Sequence, residues 1–162
     1  MLSVFSSHPP ELAAPLGVRT ATAADRDAVA AFLAEEGLPT QGIITRGTAW
    51  LIAERAGWMV GVAGVEFGPT GAALLRAIAV SRTARQQGLA RRLAEAAIEE
   101  AHRRACDRMY ALGTTGGAAL ERLGFRGVSV DEVQAALPET ALLRLYHHYG
   151  VPPGTQAWRI EL

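Results

Sequence analysis

The chain contains no lysine; all 16 of its basic residues are arginine. Arginine stays charged at any physiological pH, so catalysis through a neutral lysine amine is excluded. So is the nucleotide-triphosphate loop, which needs a Gly-Lys-Ser/Thr ending. Cysteine is nearly absent too. The single Cys106 rules out an internal disulfide, and with only four histidines no metal-ligand spacing stands out. Cys106 stands near the end of a long helical stretch and reads as a small packing residue. Neither sign of charge is in excess, since 16 acidic residues balance the basic ones, which argues against nucleic acid or an acidic membrane as partner. No apolar run reaches the roughly 18–20 residues that span a bilayer. Residues 1–16, with His8-Pro9-Pro10 and Pro15, lack the basic start and long apolar centre of a secretory signal. They read as a loose extension, and a cytoplasmic protein is expected.

What is present suits a small folded domain. The 162 residues are 49% hydrophobic and 20% charged, which fits one domain over 17–162 with a single sizeable core. Val18-Arg19-Thr20-Ala21-Thr22 alternates like a strand. Asp25 then caps a helix whose apolar positions Ala28, Val29, Phe32 and Leu33 share one face, ended by Gly37 and Pro39. Residues 48–55 and 59–67 read as a hairpin turning at Ala56-Gly57. After Gly68-Pro69-Thr70-Gly71, residues 73–80 form the third strand of the meander. A helix is expected from Gly88 to Ala105, with Leu89, Leu93, Ala97, Ala101 and Ala105 as its buried stripe. Further strands are expected at 108–112, 125–130 and 156–162. A helix fits 118–123, and one or two more follow Asp131.

The stretch from Leu74 to Leu93 carries the chemistry. An apolar strand ends at Val80, a polar turn follows, and Gly88 and Ala90 open a helix. The first N–H groups of a helix have no partner within it, and the aligned peptide dipoles place positive charge there. Small residues let an anion approach that backbone closely, so this is a candidate diphosphate cradle. It is not the dinucleotide fingerprint, which needs GxGxxG and a later acidic residue. The pattern is Arg-x-x-Gly-x-Ala, from Arg85 to Ala90. It resembles the Arg/Gln-x-x-Gly-x-Gly/Ala signature of the GCN5-related N-acetyltransferases, which hold acetyl-coenzyme A. The order of expected elements is similar to that family over residues 17–162. Leu38-Pro39-Thr40, Val60 to Glu66, Leu74-Leu75-Arg76, Leu112-Gly113-Thr114-Thr115 and Leu123-Gly124-Phe125 resemble its arsenic-resistance-like branch. At the end, Val151-Pro152-Pro153 stands where that branch carries Cys-Pro, after Tyr146-His147-His148-Tyr149.

The resemblance implies an α/β fold of three layers. Its sheet is mixed and mostly antiparallel, flanked by helices, with a splayed central strand whose backbone pairs with the cofactor. That backbone corresponds to Ile78, Ala79 and Val80. The cradle corresponds to Arg85, Gln86, Gln87, Gly88, Leu89, Ala90 and Arg91, with Thr114 beyond the next strand. Acetyl-CoA is the implied co-substrate, without a metal. The implied partner is a small-molecule amine, a homodimer being left open.

Acetyl transfer needs a positioned neutral amine, a donor for the developing oxyanion and a proton for the leaving thiolate. The family's usual acid is a tyrosine four residues before the Gly of the Gly-Phe pair, and here that position is Leu120. Its usual glutamate position is Leu74. Tyr110 is a candidate substitute acid, or an amphipathic residue of a half-buried strand. Glu66 is the candidate base or the residue that orients Arg76. Strict alternation puts Leu74, Arg76, Ile78 and Val80 on one face, where Arg76 either binds an acidic acceptor or pairs with Glu66. His147 and His148 read as helix-end residues. An α-amine, with pKa about 7.8, costs only about 1 kcal/mol to deprotonate at pH 7, against about 4.6 for a lysine-type amine. A site without a strong base therefore suits a small, amino-acid-like acceptor. A peptide or protein N-terminal acetyltransferase and a non-catalytic coenzyme A sensor are the alternatives.

Overall fold

The computed structural model describes residues 14–38, 40 and 47–162. Among them the strands are β1 (Leu16–Thr20), β2 (Thr48–Arg55), β3 (Trp58–Phe67), β4 (Ala72–Val80), β5 (Arg108–Gly113), β6 (Arg126–Val128) and β7 (Gln156–Glu161). They form one sheet in the order β1-β2-β3-β4-β5-β7-β6. Only β4 and β5 run parallel; every other neighbouring pair is antiparallel. The helices are α1 (Arg26–Glu35), α2 (Leu89–Arg103), α3 (Gly117–Arg122), α4 (Val130–Ala136) and α5 (Ala141–Tyr149). None is long and apolar enough to cross a membrane.

Three apolar clusters make the layers. On one face Leu89, Leu93, Ala97 and Ala101 of α2 pack on Ala63, Val65, Ala73 and Leu75, with Leu120 and Leu123 alongside. On the other face α1 packs Val29, Phe32 and Leu33 on Trp50, Ile52, Val62 and Ala79. Beside it, Val133, Leu137 and Leu143 cover Leu74, Tyr110 and Ala157. The helix α2 sits tightly because β3 has a glycine beneath it. A Cβ on Gly61 would lie 2.9 Å from Leu93 Cδ1 and 3.1 Å from the Ala79 carbonyl.

The structure corrects several local expectations. Asp25 does stand at the N-cap of α1, but its side chain makes no capping bond to that helix: it closes a short 3-10 turn, and its carboxylate accepts instead from the Thr22 N–H at 2.7 Å. Pro39 lies outside the described residues. Ala105 is exposed at φ 56°, past the end of α2, so the stripe closes at Ala101. The strand expected to reach 130 stops at Val128, because the Ser129 hydroxyl accepts from Glu132 N–H and starts α4. Cys106 is buried as expected, and that burial pushes its thiol pKa up.

Alternation along β4 also fails, at the most informative place. Gly64 pairs with Ala77 and Val65 with Leu75, so Arg76 is the extra residue of a β-bulge. Leu74 therefore belongs to the layer under α4 and α5, whereas Ile78 and Val80 pack on the α2 side. The expected single face of Leu74, Arg76, Ile78 and Val80 is split in two.

Candidate active site

The parallel pairing of β4 with β5 ends at Leu75 and Ala111, although β4 continues to Val80 and β5 to Gly113. Beyond that point the β4 edge that faced β5 has no strand partner among the described residues. Backbone groups of Arg76 to Val80 on this edge can pair with an extended ligand, as edge strands do. The opening is a cleft of about 430 Å³, floored by β4 and walled by α2 and α3. Its lining is mostly apolar: Ile78, Ala90, Ala94, Ala119, Leu120 and Leu123, with Arg76, Arg91 and Thr115 among the polar residues.

The candidate diphosphate cradle, the turn into α2, borders this cleft through Ala90 and Arg91. Gly88 is the N-cap of α2 at φ 74°, a left-handed conformation that glycine takes without a Cβ penalty. Gln86 is also left-handed, at φ 63°. The first helical bond runs from Arg92 N–H to Gly88 C=O at 3.1 Å, which leaves the preceding amides outside the helix ladder. A Cβ built on Gly88 meets nothing within 4 Å, so the space above the turn is open. Free amides, a helix dipole and open space together fit a diphosphate, and the apolar cleft fits a pantetheine arm.

The individual residues of the expected set divide. Ile78, Ala90 and Arg91 line the cleft, but the Ala79 side chain is buried in the α1 layer, which leaves only its backbone to meet a ligand. Arg85 is turned away from the cradle. Its Nε donates to Val80 C=O at 3.2 Å and its Nη2 to Glu36 at 2.9 Å, bracing the turn against α1. Thr114 is exposed beside the cleft, and it is the neighbouring Thr115 that lines it.

On the α5 side, the structure forms the ion pair between Arg76 and Glu66. Arg76 Nη1 donates to Glu66 Oε1 at 3.2 Å, and the two side chains are 4% and 5% exposed. Glu66 also accepts from the N–H groups of Ala141 at 3.0 Å and Leu142 at 3.4 Å, the start of α5. The carboxylate thus ties β3, the bulge and α5 together, and the geometry favours the orienting role. Burial pushes the Arg76 pKa down, and Glu66 opposes that shift.

Tyr110 is 2% exposed and its hydroxyl donates to Glu132 at 3.2 Å, on the face away from α2. It packs with Leu74 and Leu143, as its structural reading expects. Leu120 does line the cleft, so the position of the usual acid is spatially intact but apolar.

Sequence reasoning gave Tyr146 no role and passed over Ala94 and Ala119. Tyr146 of α5 is half-buried; burial raises its hydroxyl pKa, while Thr155 and Arg76 lower it. Its offset of three residues from the core residue Leu143 was the available signal. Ala94 and Ala119 keep the cleft open because they are small, and the Ala90/Ala94 spacing of one helical turn could have indicated a groove.

Residues 20–125 match the family described as Acetyltransferase (GNAT) family. The fold is similar to the N-acetylglutamate synthase of Neisseria gonorrhoeae, solved with coenzyme A and N-acetyl-glutamate. That likeness has a TM-score of 0.71 and 26% identity, covering 92% of this chain and 35% of the synthase. It is also similar to the ribosomal-protein-S18-alanine N-acetyltransferase of Escherichia coli, at TM-score 0.64 and 16% identity over 91% and 94% of the two chains. A GNAT acetyltransferase of Staphylococcus aureus Mu50 aligns at TM-score 0.68 and 11% identity over 91% and 99%. No curated protein matches the sequence.

Proposed function

The chain belongs to the GNAT acetyltransferase family, and on that premise we propose that it acetylates the amine of a small molecule bearing an acidic group. Acetyl-CoA supplies the activated acetyl group as a thioester. The turn from Gln86 to Arg91 holds the diphosphate, the freed edge of β4 pairs with the pantetheine, and the apolar cleft excludes water around it.

One observation carries the choice of acceptor. Arg76 stands at the bulge of β4, where the freed edge begins; the residue borders the cleft, and its guanidinium, on the α5 side, is buried and already oriented by Glu66. A guanidinium in that position suits a carboxylate or another oxyacid group, which it binds through paired N–H donors. The amine then sits near the thioester without a dedicated strong base, since an α-amine near pKa 7.8 needs only about 1 kcal/mol at pH 7. This agrees with leucine at positions 74 and 120. The likeness to a synthase crystallised with an acidic N-acetyl amino acid supports the same acceptor class. The motif likeness to the arsenic-resistance-like branch is compatible with it, because an oxyacid amine presents the same anion to Arg76.

The test is thiol release with amino acids, their amides and short peptides. The parent enzyme should prefer the carboxylated amine. Arg76→Ala should weaken that acceptor by about 10- to 150-fold, the loss of a charge-assisted bond, and leave the amide little changed. Arg76→Lys should recover little, because an ammonium lacks the planar fork. The acceptor assignment is wrong if Arg76→Ala discriminates acid from amide as the parent does, or if peptides are the best substrates of the parent.

A further inference from the structure

Arg55 closes β2, opposite Trp58, and is 8% exposed. Its Nη1 donates to the side-chain carbonyl of Gln87 at 2.6 Å, and its Nε is buried without a hydrogen-bond partner. No carboxylate forms an ion pair with it among the described residues. That is an unusual state for a buried guanidinium, since the cost of removing a permanent charge from water is ordinarily offset by a counter-charge. The other buried arginine of the site, Arg76, has one in Glu66.

Gln87 sits in the turn that opens α2, between left-handed Gln86 and left-handed Gly88. Its carbonyl end is held by Arg55, and its amide end donates weakly to Thr83 C=O at 3.4 Å. The guanidinium therefore sits behind the cradle and polarises an amide that belongs to it. Its charge adds to the positive end of the α2 dipole.

We propose that the counter-charge of Arg55 is the diphosphate of coenzyme A, and that Arg55 with Gln87 is a positioning pair for the cofactor. The proposal rests on the reading of the 86–91 turn as the diphosphate site. Arg55 lies outside the Arg-x-x-Gly-x-Ala pattern, about thirty positions earlier in the chain. The β2–β3 hairpin carries it past the end of β4, where Gly61 pairs with Val80, and brings it under the turn.

Two substitutions of opposite character test this. Arg55→Met keeps the aliphatic volume and removes the charge. It should weaken coenzyme A binding, measured by calorimetry, about tenfold or more. The dependence of that binding on salt should become shallower, and the preference for acetyl-CoA over acetyl-pantetheine, which lacks the diphosphate, should fall by a similar factor. Gln87→Glu instead gives Arg55 a carboxylate from the protein. It should raise the melting temperature and at the same time weaken coenzyme A binding, because the protein has taken the ligand's electrostatic role.

Unaltered coenzyme A affinity and salt dependence in Arg55→Met would overturn the proposal. So would an equal loss for coenzyme A and acetyl-pantetheine, the mark of a merely structural residue. If Arg55→Met does not fold, Gln87→Glu decides alone, and undiminished coenzyme A affinity in that variant overturns the proposal. Failure of the parent protein to bind coenzyme A at all would sink the cradle reading beneath it, which is a separate and recognisable result.

Discussion

Arg76 and Glu66 meet because one extra residue interrupts β4. In an unbroken strand the side chain at 76 would continue the alternation through Ile78 and Val80; the bulge separates it from them and leaves it beside Glu66. Glu66 is in turn committed to three donors, the Arg76 guanidinium and two N–H groups of α5. Glu66→Gln keeps the shape and removes the charge, leaving a buried guanidinium without its counter-ion. Breaking a buried pair in this way costs about 3–5 kcal/mol. A domain of this size loses about 2–4 °C per kcal/mol, so the melting temperature should drop by roughly 6–20 °C. Calorimetry on Glu66→Gln, Arg76→Met and the double variant checks it. The double variant should be less destabilised than the sum of the singles, and additive losses would show that the two side chains do not act as a pair. Both residues were legible in the sequence as candidates, and their pairing was one of the stated options. The bulge was not legible, because a single residue inserted into a ladder leaves no mark on hydrophobic alternation until the partner strand is known.

Among the elements, α2 and its turn were the most legible. The apolar strand, the Arg-x-x-Gly-x-Ala turn and the helical stripe are local patterns, and the structure keeps all three with the helix shortened to Leu89–Arg103. Ala90 offers a cleaner probe of the cradle than Gly88, whose φ of 74° would strain any other residue. Ala90→Glu places a carboxylate in the first turn of α2, where the helix dipole favours it by about 0.3–1 kcal/mol. The variant should melt no lower than the parent and yet lose coenzyme A affinity, since it occupies and repels at the diphosphate position. Retained affinity in a folded Ala90→Glu would remove the cradle from this turn.

The entry to α1 makes a different prediction. Asp25 accepts two bonds from Arg19, at 2.8 and 2.9 Å, besides the Thr22 N–H, and Arg19 holds its carboxyl well below the usual carboxylate range. A depressed folded pKa contributes stability that is complete above the unfolded value of about 3.9 and is lost as pH falls below it. Melting temperatures followed from pH 6 downward should therefore decline more gently in Asp25→Asn than in the parent. Parallel curves would mean that Asp25 carries no pH-linked stability.

At the scale of the whole molecule, the site exists only where layers meet. The cleft proposed for the cofactor is lined by α2, α3 and β4 together, so binding there should stabilise the folded domain as a unit. Coenzyme A at about 100 times its dissociation constant should add about 2.7 kcal/mol, or roughly 5–11 °C in melting temperature. Pantetheine at the same concentration should give a smaller shift, and equal shifts would show that the diphosphate contributes nothing. The sequence by itself determined the order of elements, the lack of lysine and of any internal disulfide, and the Arg-x-x-Gly-x-Ala turn that opens α2. Each of these is written in local spacing, where the helix and strand periods act on neighbours. The tertiary structure decided the rest. It parted β4 from β5 after Leu75 and Ala111, turned Arg85 toward Glu36, buried Tyr110 against Glu132 and drew Arg55 beneath Gln87. Those outcomes depend on strand order, on one bulge and on which faces the helices cover. They are contacts between residues distant in the chain, whose energies arise only once the layers close.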